Sequence, residues 1–395
     1  MINKKMYDLG NSRSVIRELF EYGKTLKAKI GEDKVFDFTL GNPSVPTPSE
    51  VNEYAIEILK TDNAVHAYTS AQGDVNTRKA IAKYNLDKYG FSLDANLIYL
   101  TCGAAASLKI VMQSIISSSE EEILAIAPFF PEYRVFAETS NAKFSYVKCD
   151  EENFLINFNE LEKSINKNTR GIIINSPNNP SGTVYNEETI IKVSEILNKK
   201  QNEYGAPIYL IVDEPYREIL FDGEVCPYIP KYYDNTIICY SYSKALSLPG
   251  ERIGYVAVSP KCEDASELYL AVMGSGRALG YVCAPSLFQK VIEKHADKTC
   301  DIAPYKDNRD ILIKNLKSLN FKCVNPKGAF YLFVKSPIED AKEFSDIAKT
   351  YGLLLVPSDS FGVKGYVRIA TCVSKEVAVN SLPYFEKLAK DLKMI

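Results

Sequence analysis

Seven short apolar runs that alternate with helical patterns constrain the fold of this chain more than any other feature. They lie between about residues 95 and 260 and are mostly apolar throughout, as expected for strands that helices cover on both faces. Helical patterns such as ASLKIVMQSIISS and EETIIKVSEILNKKQNEY separate several of them. The alternation predicts an α/β sheet that is largely parallel. The strand candidates are LIYLT from Leu97, EILAIA from Glu122, KFSYVK from Lys143, GIIIN from Gly171, IYLIVD from Ile208, TIICY from Thr236 and GYVAVS from Gly254.

The remainder of the chain indicates a second, smaller unit. From about residue 286 a long amphipathic pattern, APYKDNRDILIKNLKSL, is followed by GAFYLFVK, GLLLVPS, YVRIATC and a C-terminal helix. A few strands with helices on one side predict an α+β domain. We therefore expect a large domain over residues 48–285, a small domain from residues 1–47 and 286–395, and an N-terminal helix around Ser12–Leu26.

Composition excludes several classes of function. A chain of 395 residues with 46% apolar residues is long enough for two domains, and its net charge of -3 gives no reason to expect a nucleic-acid partner. No apolar run is long enough for a signal peptide or a membrane span. Nine scattered cysteines without a CxxC pair, and only His66 and His295, predict neither a metal site nor disulfides. We expect a cytoplasmic protein with no membrane partner.

Small and hydroxylic residues follow two of the predicted strands, and they indicate a phosphate site. In open α/β sheets, ligands bind beyond the carboxyl ends of the strands. A small-residue turn that opens a helix leaves backbone N–H groups free to bind an anion, and serine hydroxyls and an arginine add further donors. The candidate phosphate ligands are Gly103, Ala104, Ala105, Ser241, Ser243 and Arg252.

A lysine and an aspartate at neighbouring strand ends indicate covalent chemistry on an aldehyde. Lys244 lies in SYSKALSLPGERIGY, near the cationic Arg252. A partly buried lysine beside a cation has a lowered pKa and becomes a nucleophile. Asp213 ends the apolar run IYLIV, where a carboxylate is costly unless it is paired. A protonated ring nitrogen would be such a partner.

These motifs resemble those of the class I/II aminotransferases, which are fold-type I enzymes that use pyridoxal 5'-phosphate (PLP) and include the aspartate aminotransferases. The resemblance runs from GNPSVPTP at Gly41 to VRIATC at Arg368, and SxSK followed by PGxRIGY is its most specific part. NNPSG at Asn179 and DEPY at Asp213 support it in the expected order. It implies a three-layer α/β fold with a mostly parallel seven-stranded sheet and a smaller α+β domain.

The resemblance also implies a role for each matching residue. Lys244 would form the Schiff base with PLP, and Asp213 would bind the pyridinium nitrogen. Asn179 and Tyr216 would bind the ring hydroxyl oxygen, and Phe130 would stack on the ring. Arg368, with the Gly41 backbone nearby, would bind the α-carboxylate of the substrate. Tyr68, in HAYTSAQG, matches a tyrosine that reaches the phosphate of the partner subunit, which implies a homodimer with shared active sites.

The implied activity is amino transfer between an L-amino acid and a 2-oxo acid by a ping-pong mechanism. A PLP-dependent C–S β-lyase on the same fold is the alternative, because it would keep every residue named above. Some relatives that prefer dicarboxylic substrates carry a lysine at the position of Ala105, so its absence weakens the case for aspartate by that route. Arg277 of the partner is a candidate for that role.

Overall fold

The computed structural model describes residues 2–11 and 14–395. Every one of the seven predicted strands is a strand of one sheet. In chain order, the strands are β1 Phe36–Asp37, β2 Ile98–Thr101, β3 Glu122–Ile126, β4 Lys143–Val147, β5 Thr169–Asn175, β6 Tyr209–Asp213, β7 Thr236–Ser241, β8 Gly254–Val258, β9 Tyr331–Lys335, β10 Leu353–Leu354, β11 Val356–Pro357 and β12 Tyr366–Ala370.

The helices lie between these strands and at both ends of the described chain. In chain order, they are α1 Lys4–Asn11, α2 Val15–Ile30, α3 Ser49–Thr61, α4 Val75–Tyr89, α5 Ala104–Ile115, α6 Glu132–Thr139, α7 Phe158–Ser164, α8 Glu187–Tyr204, α9 Tyr242–Ala245, α10 Ala265–Ala278, α11 Ser286–His295, α12 Ala303–Ser318, α13 Ala341–Thr350, α14 Lys375–Asn380 and α15 Leu382–Asp391.

The main sheet has seven strands in the order β2-β8-β7-β6-β5-β3-β4. The strands from β4 to β7 pair in parallel, whereas β8 runs antiparallel to both of its neighbours, β2 and β7. Helices α5 and α10 pack on one face, and α3, α4, α8 and α11 pack on the other. Apolar side chains on both faces explain why the strands read as unbroken apolar runs. The predicted three-layer α/β class is confirmed.

A smaller unit holds the remaining strands. Its antiparallel sheet has the order β11-β12-β9, and β1 pairs in parallel with β10. Helices α12, α13 and α15 pack on this unit through a shared core that includes Phe321, Phe344 and Phe385. Helix α11 instead packs on α3 and α4. The division of the chain at residues 47/48 and 285/286 stays a prediction.

The expected N-terminal helix corresponds to α2. Ser14 caps it by accepting a hydrogen bond from the Arg17 amide, while Ser12 and Arg13, where the predicted helix began, lie outside the described residues. Its buried Leu19 packs on Phe361 of the small unit, so α2 runs along the edge of that unit near the carboxyl ends of the main sheet. Among the described residues, no helix combines the length and apolarity needed to cross a bilayer.

Candidate active site

A cavity of about 280 Å³ lies at the carboxyl ends of β5, β6 and β7, where β12 faces them. It brings together all the predicted site residues except Gly103 and Tyr68. Those that line it are Gly41, Ala104, Ala105, Phe130, Asn179, Asp213, Tyr216, Ser241, Ser243, Lys244, Arg252 and Arg368. The other lining residues are Ile16, Leu40, Leu108, Pro215, Pro249 and Tyr331.

Lys244 enters this cavity from the short helix α9, directly after β7. Its Nζ donates a hydrogen bond to the carbonyl oxygen of Gly41 and lies 5.5 Å from the centre of the Phe330 ring. Burial is the main reason that the pKa of Lys244 is lowered to about 8, and the charges of Arg252 and Arg368 act in the same direction. An amine with this pKa is partly neutral near physiological pH and can attack an aldehyde.

Asp213 ends β6 and is 5% exposed. Its Oδ2 accepts a hydrogen bond from the Tyr133 hydroxyl, while Oδ1 is buried and has no hydrogen-bond partner in the part of the chain that the structure describes. Burial raises the pKa of Asp213 to about 7, and the Tyr133 hydrogen bond opposes that shift. A cationic N–H placed at Oδ1 would both satisfy this oxygen and favour the ionised acid.

The predicted phosphate site is a cluster of hydroxyl, guanidinium and backbone donors. Gly103 has a φ of 86° at the start of α5, and a Cβ there would come within 2.8 Å of Arg252 Nη2, so only glycine fits. The Ser241 and Ser243 hydroxyls lie 2.8 Å apart, and Arg252 Nη1 lies 3.5 Å from the Ser243 hydroxyl. Together with the free amides of the first turn of α5, these donors fit a dianion. Gly103 shapes the turn but does not line the cavity.

Arg368 lies in β12 and is 2% exposed. Its Nη1 donates to Asn179 Oδ1 at 3.0 Å and its Nη2 to the Thr39 carbonyl oxygen at 2.5 Å. Its Nε has no hydrogen-bond partner, and no carboxylate pairs with it among the described residues. A buried guanidinium without a counter-ion is costly, and a substrate carboxylate in the cavity would supply one.

Two tyrosines at this site are functional candidates that the sequence reasoning missed. Tyr133 lies three residues after Phe130 and holds Asp213. Tyr331 begins β9, and its hydroxyl lies 2.9 Å from that of Tyr216. The position of Tyr133, in the first turn of α6 shortly after the end of β3, was a usable signal. Tyr331 looked like an ordinary strand residue, because nothing local shows that β9 pairs with the strand of Arg368.

Besides Gly103, two further candidate residues lie outside the cavity. Tyr68 is 97% exposed, so within one chain it cannot contact the cofactor, and its role across a subunit boundary stays a prediction. Arg277 is exposed near the end of α10 and does not line the cavity either. A second space of about 720 Å³, lined in part by Leu9, Ile16 and Phe130, adjoins the cavity and opens towards the solvent.

Comparisons with known proteins agree with this geometry. A family model described as aminotransferase class I and II matches residues 33–381. An aspartate aminotransferase of Pyrococcus horikoshii is 31% identical over 389 residues, which are 95% of this chain and 94% of the relative. An aromatic-amino-acid aminotransferase of Thermococcus litoralis is 27% identical and covers 97% of each chain. The crystal structure of an aminotransferase from Eubacterium rectale superposes with a TM-score of 0.97 at 53% identity, over 99% of each chain.

Proposed function

The chain belongs to the aminotransferase class I and II family, and on that premise we propose that the cavity at the ends of β5, β6 and β7 is its active site. The resemblance inferred from the motifs is confirmed, and the protein is a PLP-dependent aminotransferase that acts on amino acids and 2-oxo acids. The observation that carries the assignment of the site is the convergence of an amine of lowered pKa, Lys244, with an unpaired buried acid, Asp213.

The donors of the cavity fit PLP group by group. The cluster of Ser241, Ser243 and Arg252 would bind its phosphate, Asp213 Oδ1 would accept from its ring nitrogen, and Phe130 would cover its ring. When bound, PLP supplies an aldehyde that captures amines and a protonated ring that withdraws electrons from the substrate Cα. The buried Asp213 would keep the ring nitrogen protonated, because no cation among the described residues pairs with its carboxylate.

Lys244 is the residue that would move protons. Its Nζ would hold the cofactor before substrate arrives, and once released it would take the proton from the substrate Cα and return it as a general base and acid. A pKa near 8 suits both tasks, because the neutral amine that accepts a proton and the charged amine that donates one are both populated near neutral pH. The carbonyl oxygen of Gly41 would orient the free amine.

Arg368 would orient the substrate by binding its α-carboxylate. Asn179 and the Thr39 carbonyl hold the guanidinium in place, and a bidentate pair there contributes roughly 1.5–3 kcal/mol. Asn179 would also donate its amide N–H to the ring hydroxyl oxygen of the cofactor, as would the Tyr216 hydroxyl. Asn179 would therefore contact both the residue that binds the carboxylate and the cofactor.

The side chain of the amino donor would extend towards the wall formed by Ile16, Leu40 and Phe130. The names of the two relatives make aspartate and aromatic amino acids the first donors to assay. Within residues 2–11 and 14–395, every cation that lines the cavity already has a proposed role, so the apolar wall suits an aromatic side chain better than a second carboxylate. A tenfold or larger preference for aspartate in kcat/KM, on the order expected of an ion pair, would contradict this choice.

A second copy of the chain would complete the site. The loop that carries Tyr68 is held to the start of α11 by hydrogen bonds from Ser286 Oγ to the Val65 carbonyl and from Gln289 Nε2 to Thr69 Oγ1. This surface exposes Tyr68 and the neighbouring Val282, at 97% and 49%. We expect a homodimer in which the Tyr68 hydroxyl reaches the partner's phosphate. Light scattering that finds a monomer under assay conditions, with full activity, would contradict it.

A cytoplasmic location is part of the same proposal. All nine cysteines are free thiols, which suits a reducing compartment. Cell fractionation tests this directly, because recovery of the protein from the secreted fraction would rule it out.

The assignment of Lys244 is tested by the visible absorbance of the purified protein and its irreversible change on reduction with borohydride. We expect both in the wild type and neither in Lys244→Ala. Lys109 is a matched control, because burial also lowers its pKa to about 8, yet it lies outside the cavity. Lys109→Ala should keep the absorbance. If Lys244→Ala keeps it as well, the site is wrong.

The second measurement is the half-reaction. An amino acid should convert the bound aldehyde to its amine form and release a 2-oxo acid, and a 2-oxo acid should reverse the change. The C–S lyase alternative is not favoured, because the relatives described above are aminotransferases. Stoichiometric pyruvate release from cystathionine, without conversion of the cofactor by any amino acid, would reinstate it.

A further inference from the structure

Tyr331 contacts three groups of the cavity that belong to different parts of the chain. Its hydroxyl lies 2.9 Å from the Tyr216 hydroxyl, and the Arg368 guanidinium lies 4.6 Å from the centre of its ring. The ring is 2% exposed, and its neighbour on the other side is Tyr216, with the two ring planes at 79°. No other described residue contacts both Tyr216 and Arg368 through a hydroxyl and a ring.

The third contact is with Gly41. A Cβ on Gly41 would lie 1.8 Å from the Tyr331 hydroxyl oxygen, so the hydroxyl occupies the space that any other residue would need. Gly41 in turn accepts the hydrogen bond from Lys244 Nζ. A side chain at position 41 would therefore clash with Tyr331, so the contact requires glycine next to the carbonyl that accepts from Lys244.

The direction of the hydrogen bond between the two hydroxyls decides where the Tyr216 proton points. Only one of them can donate to the other. Burial raises the pKa of both tyrosines, so both hydroxyls keep their protons at neutral pH. Tyr216 lines the cavity, and in the proposed function its O–H donates to the ring oxygen of the cofactor, so the 2.9 Å contact is then donated by the Tyr331 hydroxyl.

We propose that Tyr331 is a positioning residue that directs the Tyr216 proton at the ring oxygen of the cofactor through its hydroxyl and supports Arg368 for the substrate carboxylate through its ring. The inference rests on the proposed function, because it assumes that the cofactor and substrate occupy this cavity. The proposal gives the hydroxyl and the ring of Tyr331 different roles. The hydroxyl acts on the cofactor, and the ring acts on the substrate.

The hydroxyl is tested by the pH at which the visible absorbance of the bound cofactor changes. A hydrogen bond donated to the ring oxygen stabilises its deprotonated form and lowers that midpoint. Tyr331→Phe should therefore raise the midpoint by about half a pH unit to one unit, which is the effect of one hydrogen bond. Tyr216→Phe should raise it at least as far. The double variant should match Tyr216→Phe alone, because Tyr331 acts through Tyr216.

The ring is tested by the KM for the amino donor. Tyr331→Phe keeps a ring beneath Arg368, so its KM should stay within about twofold of the wild type. Tyr331→Leu removes the ring as well, and its KM should rise roughly tenfold, because a buried cation–π contact is lost. Tyr305→Phe is the control, since Tyr305 lies in the same cluster beside Phe330 but does not line the cavity.

Several results would overturn the proposal. They are an unchanged midpoint in Tyr331→Phe, a midpoint in the double variant that is the sum of the single effects, an equal rise in KM for the Phe and Leu variants, and loss of cofactor from Tyr331→Phe. The last would make the hydroxyl a structural requirement. Failure of the proposed function is distinguishable, because then the wild type itself would show no visible absorbance to titrate.

Discussion

Two acids that are adjacent in the chain, Asp213 and Glu214, occupy opposite environments at the end of β6. Both are buried, at 5% and 1% exposure. Glu214 faces away from the cavity and forms an ion pair with Arg217 at 2.5 Å, and the guanidinium packs 4.6 Å from the Tyr240 ring centre. Asp213 faces the cavity, where the one side chain that pairs with its carboxylate among the described residues is the uncharged Tyr133 hydroxyl. The chain neutralises one acid itself and leaves the other for a ligand.

The difference separates a structural buried charge from a functional one. A buried charge whose counter-ion belongs to the same chain contributes to the fold, and removal of either partner leaves the other uncompensated. A buried charge without a counter-ion is a cost that persists in the free protein and is relieved on binding. Substitutions of residues that face the cavity should therefore lower activity with little effect on stability. Substitutions in the Glu214–Arg217 pair should lower stability with little effect on activity.

The largest effect should come from the cavity side. Lys244→Ala should lower kcat by on the order of 10⁴-fold or more, because it removes the group that we propose moves the Cα proton. Its melting temperature should stay within about 5 °C of the wild type, since a buried cation with no carboxylate partner stabilises little. Steady-state assays and thermal melts measure the two quantities. Comparable losses in both would mean that Lys244 is structural.

Asp213→Asn should also lower kcat without lowering stability, but the loss of kcat should be smaller than in Lys244→Ala. An amide cannot keep the ring nitrogen protonated, and we expect kcat to fall by about 10³-fold. The cofactor-free variant should be at least as stable as the wild type at pH 8, because it no longer buries an unpaired charge. Urea denaturation of both cofactor-free proteins gives the comparison, and a large loss of stability in the variant would refute the assignment.

Arg217→Met should show the reverse signature. It leaves Glu214 buried without its partner, which should lower the free energy of unfolding by about 3 kcal/mol. The activity of each folded molecule should change little, because Arg217 does not line the cavity. Activity normalised to the folded fraction tests this. A specific loss of kcat at full stability would place Arg217 in the catalytic machinery.

The stability of the cofactor-free protein should depend on pH through Asp213. Its folded pKa of about 7 lies above the unfolded value, so between these values the folded chain binds more protons, and its stability falls as pH rises. The fall due to this acid should be about 2 kcal/mol between pH 5 and pH 7. Burial raises the pKa of Glu214 in the same direction, so the difference between the wild type and Asp213→Asn isolates Asp213. Addition of PLP should abolish the pH dependence of stability that is due to Asp213. If that pH dependence persists with PLP bound, Asp213 does not bind the ring nitrogen.

The smallest effect should come from Tyr133→Phe. The hydrogen bond from Tyr133 lowers the pKa of Asp213, so its loss should make the acid easier to protonate and weaken its hold on the ring nitrogen. We expect kcat/KM to fall by about fivefold, the effect of one hydrogen bond of roughly 1 kcal/mol. The pH dependence of stability described above should also extend to higher pH. A rise in kcat/KM would show that the Tyr133 hydrogen bond weakens the interaction of Asp213 with the ring nitrogen.

The sequence predicted the sheet well because its signals are local. Each of the seven strands is a short apolar run, and Asp213, Ser241 and Lys244 lie at or just beyond strand ends, where the fold class places ligands. The order of the strands and the antiparallel β8 could not be read in this way, because they depend on contacts between distant segments.

The same limit explains what was missed at the site. Tyr331 acts through contacts with Tyr216, Gly41 and Arg368, which are far from it in the chain or in another element. Arg217 follows DEPY directly, yet nothing in the sequence shows that its side chain turns away from the cavity while Asp213 faces it. Resemblance to a family supplied Arg368, whose position in a strand carries no signal of its own.

The hydrogen bond from Arg368 to Thr39 joins residues separated by 329 positions, whereas Lys244, Asp213 and the serines come from a much shorter stretch. During translation Asp213 and Lys244 therefore leave the ribosome well before Arg368, whose guanidinium would bind the substrate carboxylate. Domains generally fold as units during synthesis, so the proposed cofactor site can form on a nascent chain before the proposed carboxylate site is complete.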